Sequence, residues 1–97
     1  MTLNRLEITD RSALNVCGTV SEAFLQSILS NDMTGLTPGQ PVYSLLLTPQ
    51  GKVMFDLIAW RLEDGFMIEV EKPRSTELEK KLKLYKLRAD VDISLES

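Results

Sequence analysis

Asp56 is the residue of this chain whose type and setting most invite chemistry. It stands in the run Val53-Met54-Phe55-Asp56-Leu57-Ile58-Ala59-Trp60. The two-residue period of a strand puts Met54, Asp56, Ile58 and Trp60 on one face and Val53, Phe55, Leu57 and Ala59 on the other. A carboxylate among large apolar neighbours is unfavourable unless a hydrogen-bond partner comes with it. Two readings follow. Asp56 is a ligand-facing carboxylate beside Trp60, or it reaches solvent at an edge position or bonds a nearby backbone amide.

The other reactive residue types are sparse. There is no histidine, which excludes Ser-His-Asp and Cys-His catalysis and every imidazole-based metal site. The one cysteine, Cys17, cannot form an intrachain disulfide or a thiolate cluster, so no metal ligand set is expected and a reducing, cytoplasmic setting fits. Lys52 at a turn after Gly51 reads as a solubilising charge. Lys80, Lys81, Lys83, Lys86 and Arg88 form a basic stripe, but Leu82, Leu84 and Leu87 interleave it as in an amphipathic helix. Eleven basic against fourteen acidic residues leave a net charge of −3, the wrong sign for a general nucleic-acid binder. Gly35-Leu36-Thr37-Pro38-Gly39 lacks the lysine and hydroxyl that close a phosphate loop.

The elements that must position Asp56 follow from periodicity. Leu6 and Ile8 alternate with polar neighbours as a first strand, Asp10-Arg11-Ser12 turns, and Leu14 and Val16 mark a second strand ended by Gly18. Thr19-Val20-Ser21-Glu22 has the form of a capping box. Val20, Phe24 and Ile28 then recur at helical spacing, ending near Ser30-Asn31-Asp32. Val42 to Leu47 is nearly unbroken apolar sequence and is expected to be covered on both faces. Thr48-Pro49-Gln50-Gly51 turns into the Asp56 strand, Val53 to Leu62, and Glu63-Asp64-Gly65 is a hairpin signal. Phe66, Ile68 and Val70 alternate in the next strand. Ser75 or Thr76 is expected to cap a second helix with Leu78, Leu82 and Tyr85 inward and Glu77/Lys81 and Glu79/Lys83 pairs outward. Val91, Ile93 and Leu95 form a last strand. The order is β-β-α-β-β-β-α-β, an α+β fold in which a largely antiparallel sheet carries two helices on one face.

With 97 residues the chain has room for one core and one domain, residues 1–97. Its hydrophobic 43% and charged 26% are those of a globular protein. Met1 to Glu7 shows no secretory h-region, and no apolar run approaches the roughly 20 residues that cross a bilayer. No membrane partner is expected.

In this frame several segments resemble the glycine-cleavage T-protein superfamily. Phe24-Leu25-Gln26 followed by Asn31-Asp32 is similar to its helix, and Val16-Cys17-Gly18 to its strand ending in hydrophobic-x-Gly. Tyr43 to Val53, ending in Asp56-Leu57, resembles its hairpin. Asp64-Gly65-Phe66 and Leu82-x-x-Tyr85-x-Leu87-Arg88 are similar to the YgfZ branch, the folate-binding iron–sulfur assembly factors. The resemblance implies the first half of a tetrahydrofolate-binding domain, with Asp56, Trp60 and Tyr43 as cofactor-binding residues. It makes Asp56 the catalytic candidate, matching the aspartate that supports methylene transfer in the aminomethyltransferases. Asp56 would bond the amino-pyrimidine edge of a pterin while the Trp60 indole packs on the ring. Family members are several times longer, and the Lys-Gly-Cys-Tyr-x-Gly-Gln-Glu signature of the YgfZ branch lies outside this chain. Binding without catalysis is therefore expected, against two alternatives: a protein-interaction module that kept the fold, or an aminomethyltransferase acting with a separate second half. The half-domain implies a homodimer, the second copy supplying the missing half.

Overall fold

The computed structural model describes residues 11–96. The strand expected around Leu6 and Ile8 lies outside the described residues. Five strands, β1 (Arg11–Cys17), β2 (Pro41–Leu47), β3 (Val53–Leu62), β4 (Gly65–Glu71) and β5 (Asp92–Leu95), form one antiparallel sheet in the order β2-β3-β4-β1-β5. Helix α1 (Ser21–Ile28) joins β1 to β2, and a 3-10 turn (Lys72–Arg74) leads into helix α2 (Ser75–Lys86) before β5. Arg11 and Ser12, expected in a turn, are the first residues of β1.

Period-two alternation decides which face is buried. Leu14 and Val16, Ser44 and Leu46, Phe55, Leu57 and Ala59, Phe66, Ile68 and Val70 all point to one side. Phe24, Leu25 and Leu29 from α1 and its C-cap, and Leu78 and Leu82 from α2, join them in one apolar cluster. Both helices thus cover the same face, as expected for an α+β sandwich. β2, expected to be covered on both faces, is covered on one of them by the helices of its own chain. Ser44 and Leu46 are buried, whereas Tyr43 is 57% exposed. Among the described residues no layer packs on the far side.

β2 is also an edge strand, and its outer edge is partly closed by the chain leaving α1. Leu29 bridges Leu46. Ser30 N–H donates to Leu45 O at 2.9 Å, and Leu45 N–H donates to Ser30 Oγ at 3.0 Å. Asn31 donates its backbone N–H to Ser44 Oγ at 3.0 Å and its amide Nδ2 to Tyr43 O at 2.9 Å. Side chains here satisfy strand groups that would otherwise template another strand.

The helix starts differ from expectation. α1 has no side-chain cap: Thr19 Oγ1 donates to Asp90 Oδ2 at 3.1 Å, and Glu22 pairs with Arg61 at 3.2 Å. Tertiary partners outcompete the local box. α2 is led in by the 3-10 turn, and Ser75 Oγ donates back to Lys72 O at 2.8 Å instead of capping. Glu79 pairs with Lys83 as expected, while Glu77 takes Arg74. No helix among the described residues is long and apolar enough to cross a membrane.

Candidate functional site

The sheet face turned away from the helices carries the three residues singled out in the sequence. The register sets Tyr43 opposite Ile58, Leu45 opposite Asp56, and Ile58 opposite Glu69. One extra residue, Met54, interrupts the pairing between Leu46↔Phe55 and Leu47↔Val53. Met54 is partly buried and packs against the core, so it leaves the row expected with Asp56.

Tyr43 and Asp56 are diagonal neighbours across β2 and β3, and Tyr43 Oη donates to Asp56 Oδ2 at a long 3.4 Å. Asp56 is exposed. Among the described residues nothing covers this face beside Leu45 and Ile58, so the aspartate reaches solvent, as the second sequence reading has it, and its side-chain partner there is a tyrosine. Trp60 projects from the same face, four residues further along β3, about 13 Å at roughly 3.3 Å per residue. Ile58 stands between them. A fused two-ring system is shorter than that span. At that backbone spacing the two residues can address different parts of a ligand lying along β3.

Trp60 is held by groups that the sequence reading missed. Its Nε1–H donates to Glu69 Oε1 at 3.0 Å. Arg11 Nε donates to Glu69 Oε2 at 3.3 Å, and Arg11 Nη2 to the Glu69 carbonyl at 3.3 Å. Three strands thus contribute one polar knot. Asn15 Nδ2 donates to Glu96 Oε1 further along the face.

A second concavity, a shallow cleft of about 690 Å3, opens at the end of the sheet where β1 meets the β3–β4 hairpin. Cys17, Glu22, Arg61, Asp64 and Asp92 are among its lining residues. Burial, then the charges of Asp64 and Asp92, push the Cys17 thiol above the ordinary thiol range. The thiolate is disfavoured there, so the geometry does not make Cys17 a nucleophile.

Residues 4–95 match the family described as GCVT N-terminal domain. The chain is 30% identical over 96 residues to a Neurospora crassa protein named "Iron-sulfur cluster assembly factor IBA57 homolog, mitochondrial", covering 92% of this chain and 22% of that protein. It is 39% identical over 62 residues to an aminomethyltransferase of Chlorobium phaeobacteroides, covering 64% of this chain and 17% of that one. Among solved structures, the glycine cleavage system aminomethyltransferase T from Bartonella henselae superposes with a TM-score of 0.84 at 24% identity. That match covers 92% of this chain and 25% of the solved one. The chain spans a quarter or less of the length of each of these proteins.

Proposed function

This chain belongs to the GCVT N-terminal domain family, and from that premise we propose that it is a tetrahydrofolate-binding-type module that binds without catalysing on its own. The observation that carries the reading is the Asp56–Tyr43 pair on an uncovered, partly apolar sheet face. An exposed carboxylate accepts hydrogen bonds from an amino-substituted pyrimidine edge, and charge-assisted bonds of this kind are the strong ones. Trp60, half-buried further along β3, offers its ring to a more distant part of an elongated ligand. These residues fit one wall of such a site. They include no proton donor and acceptor poised about one reacting atom, so the reading stops at binding.

The same reading includes a homodimer. A flat sheet face removes too little of a ligand's surface from water, since small-molecule sites enclose most of their ligand. A two-fold copy of this face supplies the opposite wall. The competing reading, a protein-interaction module, uses the same face without the small molecule. The cytoplasmic setting expected from the lone Cys17 belongs to this reading as well.

Calorimetry with tetrahydrofolate separates the two. Binding by the parent chain, weakened by about 1–3 kcal/mol in Asp56→Asn through loss of a charge-assisted bond, supports the folate reading. Equal affinity in a variant whose circular dichroism matches the parent removes Asp56 from the site. No binding at all favours the interaction module. Light scattering tests the dimer: a mass about twice that of the chain is expected, and a monomer at micromolar concentration overturns it.

A further inference from the structure

The knot of Glu69, Arg11 and Trp60 has a consequence beyond packing. Trp60 has a single polar atom, its indole N–H, and that atom is bonded to one oxygen of Glu69 at 3.0 Å. The other oxygen of Glu69 is bonded to Arg11 Nε at 3.3 Å, and Arg11 reaches the Glu69 carbonyl as well. The carboxylate is therefore fixed from the β1 side before it fixes the indole on β3. Its side chain is 23% exposed and that of Arg11 19%, so the bonds are partly shielded from water and are stronger than surface contacts. The register explains the reach: Glu69 faces Ile58 and Ala13, and Trp60 is its diagonal neighbour.

We infer that Glu69 is the positioning residue for Trp60, holding the polar edge of the indole against β4 so that the half-exposed ring stands at a fixed orientation on the open face. The ligand class is a flat heteroaromatic ring, whose stacking energy depends on that orientation. For its ligand the inference rests on the folate reading above; for the indole it stands alone. Without Glu69 the indole N–H is paired by water and the ring gains rotamers, so stacking has to recover that entropy. Arg11 is the second positioning group, acting through Glu69.

Trp60 is the one tryptophan of the chain, so its fluorescence reports this knot without interference. The test compares the parent with Glu69→Ala and Glu69→Gln. Glutamine keeps an oxygen for the indole N–H and loses the ion pair, so it is the rescue. Acrylamide quenching of Trp60 is expected to rise about twofold in Glu69→Ala, with lower anisotropy, and to rise by less in Glu69→Gln, which keeps the indole bond but loses the Arg11 ion pair. Tetrahydrofolate affinity is expected to fall about tenfold in Glu69→Ala and to recover in part in Glu69→Gln. Equal quenching and anisotropy in all three proteins overturns the assignment, whatever the ligand does. Altered quenching in Glu69→Ala with no binding by the parent supports the positioning of Trp60 and rejects the folate reading alone.

Discussion

Gly18 and Gly51 are both in the positive-φ region, yet substituting them is expected to have very different consequences. Gly51 has φ +91 at the β2–β3 turn, and a methyl added there meets nothing within 4 Å. Gly51→Ala therefore carries only the conformational penalty, about 1–2 kcal/mol. Gly18 has φ +130, and its added Cβ would lie 2.5 Å from Asp90 O and 3.2 Å from Val91 Cα. Those are backbone atoms and cannot rotate away. Gly18 N–H also donates to Asp64 O at 3.1 Å, so the residue is pinned from the hairpin side. Gly18→Ala carries a conformational penalty of about 1–3 kcal/mol plus an overpacking penalty of about 1–3 kcal/mol. The segment leading into β5 has to move. Urea unfolding followed by circular dichroism measures both variants on one scale. The expected gap between them is mainly the overpacking part, and each kcal/mol lowers the melting temperature by about 4–8 °C in a domain of this size. If the two variants lose equal stability, within about 0.5 kcal/mol, the close approach of Gly18 to Asp90 is not what requires glycine there.

Two further outcomes follow from particular contacts. Cys17, raised by burial and by Asp64 and Asp92, should react with a disulfide reagent at pH 8 more slowly in the native chain than in urea, and faster in Asp64→Asn. A folded-state value raised above the unfolded one means that the neutral thiol's contribution is complete below the unfolded value and is lost as pH rises past it; equal native and unfolded rates would contradict the raised value. Ser44 is 1% exposed and its Oγ accepts the Asn31 N–H at 3.0 Å. Ser44→Ala should lower stability by about 1–2 kcal/mol and loosen the β2 edge, read as a lower urea midpoint together with concentration-dependent aggregation. A midpoint that does not move would show that water replaces the serine there.

The parts of the fold legible in the sequence are those set by local chemistry. Pro49 and Gly51 announced the turn closed by Gly51 N–H on Thr48 O at 2.9 Å. Glu63-Asp64-Gly65 gave the β3–β4 hairpin its place, because turns select residues within a few positions of one another. Phe24, Leu25, Leu78 and Leu82 were readable as the helices' inward residues for the same reason, whereas Val20 and Tyr85, placed on the same stripes, are exposed. What depends on distant partners was not. Thr19 and Glu22 have the spacing of a capping box, but Asp90 and Arg61, distant in sequence, take their side chains. β2 reads as apolar on both sides, yet which side is covered depends on where α1 and α2 land. At the site, Asp56 and Tyr43 were named and the structure joins them. Glu69 and Arg11 were not named, since |i−j| is 58 between them and only the strand register makes them neighbours.

Of the two faces of the sheet, only one is open to a ligand. On the helix side the core is closed: Leu14, Leu25, Met33, Ala59, Phe66, Ile68 and Leu78 are all 0% exposed. On the open side most of the polar groups are already committed to one another. Arg11 and Trp60 are taken by Glu69, and Asn15 by Glu96. Asp56 differs, because its one side-chain partner among the described residues is the 3.4 Å Tyr43 hydroxyl, which a better donor displaces at little cost. A ligand on one such face has a single wall, so its affinity should depend on whatever forms the second. If that is another copy of this chain, binding and dimerisation are linked, and each strengthens the other. Tetrahydrofolate affinity should then rise with protein concentration through the dimerisation range, and the dimer constant should tighten when tetrahydrofolate is added. Sedimentation velocity with and without tetrahydrofolate reads both. A bound monomer, with the same affinity at every protein concentration, would place the second wall elsewhere.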